Sequence, residues 1–169
     1  MEITTTNNLP NYHIIDNFLD RKDFLKIQEL LTSDDFPWYY QKSVTTQNDN
    51  DSLFYFTHLI YDNDRPTSSF FEVVFPILSK IEIKSLIRIK ANLYPNVGEV
   101  KENKNHIDYQ FENSAAIYYI NTNNGKTIIE NEKIDSIENR LLLFRGNDLH
   151  RSTYCTDSKV RININFNFF

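Results

Sequence analysis

The chain has 169 residues, 40% of them hydrophobic and 24% charged, with a formal net charge of −5. That is the composition of a globular chain with a core, not of a disordered one. No apolar run approaches the roughly 20 residues of a membrane span, and no basic cluster matches the phosphates of a nucleic-acid duplex, so neither a membrane nor a duplex is expected as partner. Met1 to Thr6 contain no basic or apolar leader region, and Cys155 stands alone, so a cytoplasmic protein without a disulfide is expected.

Tyr12 to Asp16 reads as a short strand. Asp20 can N-cap a helix from about Arg21 to Leu31, in which Phe24, Leu25, Ile27, Leu30 and Leu31 form an apolar face. Phe36 to Tyr40 begins an aromatic strand, Gln47 to Asp51 is a polar loop, and Leu53 to Tyr61 is again β-prone. A second helix is expected from Phe70 to Ile81, kinked or split at Pro76. From Ser85 onward the pattern turns to strands. Leu86 to Tyr94 alternates, with Arg88, Lys90, Asn92 and Tyr94 on one face and Ile87, Ile89, Ala91 and Leu93 on the other. Pro95 to Asn105 is a loop, Ser114 to Ile120 a strand, and Asn121 to Gly125 a hairpin turn leading into Lys126 to Glu130. Arg140 to Phe144 is a further strand. Val160 to Phe168 alternates without a slip: Arg161, Asn163, Asn165 and Asn167 face one way, and Ile162, Ile164, Phe166 and Phe168 the other. Helices early and strands late predict a mainly β fold with flanking helices. The expected architecture is a jelly roll, or double-stranded β-helix, with N-terminal helices packed on one sheet. One domain over 1–169 is expected, with a helical and β N-terminal part at 1–84 and a jelly-roll core at 85–169.

The chemistry-bearing residues lie in the second half. In a strand, His106 and Asp108 share a face because the side-chain period is 2. His150 follows an apolar strand and a polar turn, Arg145 to Asp148, and can supply a third ligand. Two His and one carboxylate are the facial triad of non-haem Fe(II) oxygenases. Taken singly, a His-x-Asp pair is a common solvated strand end, and His13 and His58 lack matching partners and read as structural. The polar face of the last strand carries one cation, Arg161, among amides, which suits a small dicarboxylate bound by a guanidinium fork. Arg151 competes for that role, but strand parity turns it away from the metal side of His150.

Order and spacing together resemble the Fe(II)/2-oxoglutarate-dependent dioxygenase superfamily, most of all its prolyl-4-hydroxylase-like branch, small bacteriophage members included. The resemblance runs from Leu86 to Phe168 through Asn92-Leu93-Tyr94, His106-Ile107-Asp108, Ala116 to Thr127, Asn139 to Phe144, His150 and Arg161-Ile162-Asn163. Ile15 to Leu19 and the helix after it resemble the family's first strand and helix. The resemblance implies Fe(II) on His106, Asp108 and His150, with 2-oxoglutarate as co-substrate and O2 as oxidant. It places the 5-carboxylate of 2-oxoglutarate on Arg161, with Tyr94, Asn92 and Asn163 completing the pocket. It implies a hydroxylase of a protein side chain or small molecule that releases succinate and CO2. The sequence departs from the branch in three ways. No Tyr stands shortly before His106, the co-substrate cation is Arg and not Lys, and no second Arg follows Arg161-x-Asn163 as in nucleobase dealkylases. Oxidative dealkylation of nucleobases and a catalytically silent jelly-roll binding module are the alternatives. Trp38, Tyr39, Tyr40, Tyr109 and Phe111 are candidates to line a substrate entrance, although packing is the commoner fate of aromatics. The loops Gln47–Asp51 and Pro95–Asn105 are candidate lids.

Overall fold

The computed structural model describes residues 12–44 and 53–169, so the loop expected at Gln47–Asp51 lies outside the described residues. The strands are β1 (Tyr12–Ile15), β2 (Tyr39–Gln41), β3 (Tyr55–Asp62), β4 (Arg65–Pro66), β5 (Leu86–Pro95), β6 (Ser114–Tyr119), β7 (Asn123–Ile129), β8 (Glu132–Ser136), β9 (Arg140–Arg145), β10 (His150–Ser152) and β11 (Val160–Phe168). They form two antiparallel sheets. The larger runs β1-β9-β6-β11-β5-β3-β2, with β4 on β3, and the smaller runs β10-β7-β8. This is the jelly roll expected from the alternation of the second half. The larger sheet takes strands from both sides of residue 85.

Alternation decides which way each strand of the large sheet presents its side chains. Helix α1 (Arg21–Thr32) starts where the Asp20 carboxylate accepts the Asp23 N–H at 2.9 Å. It stops at Ser33, whose N–H turns back to the Leu30 carbonyl at 3.1 Å. Its Phe24, Ile27 and Leu31 pack on the outer face of the large sheet against Tyr118, Leu141, Ile162, Ile164 and Phe166. Burying each such side chain contributes roughly 1.5–3 kcal/mol. The inner face of the same sheet carries Ala115, Ile117, Tyr119, Leu142 and Phe144, which meet Ile129 and Ile134 of the small sheet. Polar residues gather on that inner face where β5 and β11 cross it, and they define the site.

Two expectations change in form. The helix expected over Phe70–Ile81 is split as Pro76 demands, into a 3-10 turn at Phe71–Val74 and a single α turn, α2 (Phe75–Leu78). Pro76 falls in the first turn of α2, where a missing N–H costs nothing. The hairpin expected at Asn121–Gly125 is absent. β6 and β7 lie in different sheets, and this segment carries the chain from one to the other. Asn121 shapes the crossing: its side chain accepts the Ile162 N–H at 2.9 Å and donates to the Val160 carbonyl at 2.8 Å. Local turn chemistry was spent on capping β11 instead of reversing the chain. The true hairpin joins β7 to β8 through Glu130 and Asn131, with Glu130 at φ 54°.

The connection from β1 to α1 is pinned at Leu19 by Asn139, the residue before β9. It is buried at φ 58°. Its side-chain oxygen accepts the Leu19 N–H at 2.9 Å and the Tyr118 hydroxyl at 2.7 Å, while its amide donates to the Leu19 carbonyl at 2.8 Å. Asn139→Ala strands three buried polar groups and keeps a left-handed φ without the Asn side chain. We expect it to lower unfolding stability by about 2–4 kcal/mol, read as a shift in the urea midpoint at unchanged m-value.

Candidate functional site

The site lies between the sheets, where the polar faces of β5 and β11 look toward β7 and β10. Antiparallel register sets Asn163 opposite Asn92 and Arg161 opposite Tyr94. Their side chains therefore converge on one cavity, lined also by Tyr55, Lys90, His106, Asp108, Thr127, His150 and Asn165.

His106, Asp108 and His150 close one end of that cavity. Their ligand-capable atoms all lie within 4.8 Å of one another. His106 and Asp108 do not lie on a regular strand, so strand parity is not what brings them together. His106 makes an isolated antiparallel bridge with His150, exchanging N–H to O bonds of 2.9 and 3.0 Å, and Asp108 sits in a bend. The ladder fails after one pair because the Asp108 N–H turns to the Gly146 carbonyl at 3.3 Å. The bridge alone brings the two imidazoles together, with ring centroids 4.5 Å apart.

The groups around the triad set its protonation. His150 Nδ1 lies 2.8 Å from the Asp148 carbonyl, and His106 Nδ1 lies 3.4 Å from the Lys104 carbonyl. A carbonyl only accepts, so in the neutral ring Nδ1 is the protonated nitrogen and Nε2 is the one left with a lone pair for a ligand. Burial, the largest influence, pushes His106 down to about 4, and the Asp108 carboxylate opposes it. Burial alone would raise Asp108, yet its carboxyl is held far below the usual carboxylate range. The Arg88 guanidinium donates to one oxygen at 3.0 Å, and Asn165 and Asn167 donate to the other at 3.2 and 2.9 Å. Asp108 is thus an ionised carboxylate fixed by three donors from β5 and β11. Those donors sit on the polar faces visible in the sequence, although Arg88, Asn165 and Asn167 were not singled out for this role.

Arg161 lies at the other end, fully buried. Its Nε donates to Ser136 Oγ at 2.8 Å and its Nη2 to Thr127 Oγ1 at 3.0 Å. Its guanidinium lies 5.2 Å from the Tyr94 ring centre and 5.8 Å from that of Tyr119. Its Nη1 is buried without a partner, and no carboxylate pairs with it among the described residues. Gly125 makes this placement possible, since a Cβ there would stand 2.6 Å from Arg161 Cδ. Ser136, Thr127, Tyr119 and Gly125 carried no sequence signal for this role, because three of them come from a different sheet. Asn92 donates to Asn163 at 3.0 Å across the cavity wall. Arg151 is engaged elsewhere, donating to Glu102 at 2.8 Å and Asn105 at 2.9 Å.

The aromatic candidates scatter. Trp38 packs edge-on against Phe36, with centroids 5.0 Å apart, beside the outer core. Tyr39 and Tyr40 are 58% and 61% exposed on β2, away from the cavity lining. Tyr109 lies beneath the Arg88 guanidinium at 5.3 Å, and Phe111 stacks between Tyr109 and Phe169. The loop at Pro95–Asn105 is tied to the chain around β10, with Asn103 N–H on the Ser152 carbonyl at 2.9 Å. His58 is buried between the Pro37 carbonyl and Ser68 Oγ, and His13 is exposed on β1; neither joins the triad.

No family model and no curated protein matches this chain. Solved structures do. A prolyl hydroxylase from Trichoplax adhaerens, in complex with a hypoxia inducible factor oxygen degradation domain peptide fragment, superposes at TM-score 0.64 and 20% identity, over 96% of this chain and 84% of that one. A 2OG-Fe(II) oxygenase family protein from Burkholderia pseudomallei gives 0.69 and 9%, over 94% and 84%. The 2OG complex of a viral collagen prolyl hydroxylase from Paramecium Bursaria Chlorella virus-1 gives 0.59 and 13%, over 94% of each. At these identities the likeness is one of fold.

The depressed His106 has a measurable consequence in metal-free protein. Between its folded value near 4 and an unfolded value of about 6.5, the unfolded chain binds the extra proton, so this residue makes stability rise with pH across that window. We expect unfolding free energy to fall as pH drops from about 6.5 toward 4. His106→Asn should flatten that slope in parallel urea titrations, and an unchanged slope would show that His106 is not held neutral.

Proposed function

We propose that this chain, which has the two-sheet fold of the 2-oxoglutarate/Fe(II) oxygenases, is itself such a dioxygenase. It would hydroxylate a protein side chain or a small molecule and release succinate and CO2. One observation carries the assignment. A fully buried guanidinium with an orphan N–H shares a cavity with a two-His, one-carboxylate group. An unpaired buried cation costs several kcal/mol, and a dicarboxylate guest would offset that cost. The donor set fits the iron of a facial triad, with both imidazoles presenting Nε2 and the carboxylate ionised.

His106, Asp108 and His150 would hold Fe(II), and Arg161 would take the 5-carboxylate of 2-oxoglutarate, with Tyr94, Asn92 and Asn163 around it. When bound, the metal and 2-oxoglutarate supply the activation of O2. The chain's own part is positional. Arg88, Asn165 and Asn167 keep Asp108 charged and aimed. Ser136 and Thr127 hold two edges of the Arg161 fork so that its third edge faces the guest. The Tyr94 and Tyr119 rings keep water off that guanidinium.

The test is anaerobic reconstitution with Fe(II) and 2-oxoglutarate, then a succinate assay in air. Iron-dependent succinate is expected even without a prime substrate. Absence of both metal binding and succinate would assign the fold here to a silent binding module. Arg161→Gln and Gly125→Ala act on the same guanidinium from two sides. Each should weaken 2-oxoglutarate by about tenfold or more while leaving Fe(II) affinity within about twofold. If Arg151→Gln does this instead, the carboxylate-binding role moves to Arg151.

A further inference from the structure

On β5 the inward residues are Arg88, Lys90, Asn92 and Tyr94, since Ile89 and Ala91 are buried on the opposite face. Three of the four are committed. Arg88 donates to Asp108 and to Asn167 Oδ1, both at 3.0 Å. Asn92 bonds Asn163, and Tyr94 lies against Tyr55, 5.4 Å centre to centre, and against Arg161. Lys90 is different. It is partly buried, and its ammonium forms no salt bridge or hydrogen bond with the described residues. It lines both the inner cavity and the outer groove through which that cavity opens. Arg161 lines only the inner one.

The outer groove also differs in charge from the rest of the molecule. Lys42, Arg88, Lys90 and Lys104 line it, and among the described residues Asp108, already held by Arg88, is the sole acidic one in that lining. The whole chain nevertheless carries a net charge of −5. A cationic approach on a molecule of net negative charge favours anionic guests at that groove. A lysine desolvated beside a triad, without a counter-ion of its own, is a position that a ligand carboxylate completes.

We propose that Lys90 is a specificity-determining residue that receives a carboxylate of the prime substrate at the mouth of the cavity. This rests on the dioxygenase assignment above, and it narrows that assignment to acidic substrates. The carboxylate can belong to a free acid or to an acidic side chain of a peptide. Backbone phosphates of single-stranded nucleic acid are the rival anion. They fit less well, because the cations of the groove form one short cluster on a chain of net charge −5, whereas strand binding uses a basic track along many nucleotides.

The experiment uses the full chain loaded with Zn(II), which cannot turn over, and with 2-oxoglutarate. Hexaglutamate, hexaglutamine, N-acetylglutamate and a six-nucleotide oligothymidylate are titrated by calorimetry at low and moderate salt. Zn(II) and 2-oxoglutarate affinities are measured first on the same preparations. Failure there defeats the dioxygenase assignment, whereas failure confined to the acidic probes defeats this inference alone. We expect hexaglutamate or N-acetylglutamate to bind about tenfold tighter than hexaglutamine, and which of the two binds names the source of the carboxylate. Lys90→Met should abolish that preference and Lys90→Arg should retain it. Equal binding of hexaglutamate and hexaglutamine overturns the proposal, as does tighter binding of oligothymidylate. So does a Lys90→Met protein that loses 2-oxoglutarate while keeping the acidic probe. If Lys90→Met does not fold, the wild-type probe ranking and the Lys90→Arg protein decide the matter.

Discussion

The pairing of β5 with β11 is the constraint on which the rest depends. Asn163 stands opposite Asn92 and Arg161 opposite Tyr94. In that register two alternating strands turn all their polar side chains to the inner side of the large sheet and all their apolar ones to the helical side. A slip of one residue would push Arg161 and the asparagines into the packing of α1 and expose Ile162, Ile164 and Phe166 to the cavity. Burial of that apolar face against Phe24, Ile27 and Leu31 therefore fixes where the polar groups point. The site inherits its geometry from the core behind it.

Each end of the cavity then solves a different electrostatic problem. At the triad end the carboxylate is over-supplied with donors: Arg88, Asn165 and Asn167 all reach Asp108. That keeps it ionised despite burial. At the far end the cation is under-supplied. Arg161 has hydroxyl partners and aromatic walls but, among the described residues, no counter-charge, and one N–H is orphaned. An internal carboxylate would have stabilised the empty fold and closed the pocket to a dicarboxylate. Leaving the charge uncompensated trades some stability for a preformed place for a ligand. Lys90 stands midway, a third cation at the point where the cavity meets its groove.

The smaller sheet supplies what the larger one cannot. Thr127 and Ser136, which hold the guanidinium, come from β7 and β8, and His150 begins β10. Gly125 of β7 gives Arg161 room to pass. The segment from Asn121 to Gly125 matters for this reason. By crossing between sheets instead of folding back, it delivers β7 over the polar face of β11.

The sequence alone determined the alternation of β5 and β11, the capped helix and its apolar face, the break at Pro76, and the identity of His106, Asp108, His150 and Arg161 as the residues to watch. All of these are local: a period of two, a period of 3.6, a proline without an N–H, a residue type suited to a metal or a carboxylate. What only the tertiary structure decided is non-local. That His106 meets His150 through a single bridge, that Asn-Gly at 124–125 lies within β7 instead of closing a hairpin, and that Arg151 is drawn off by Glu102 all depend on which strands become neighbours. The N–H of Arg161 and the ammonium of Lys90, both without a partner among the described residues, belong to the same class. A missing partner is a property of the assembled cavity, because it requires knowing every group that did not come near.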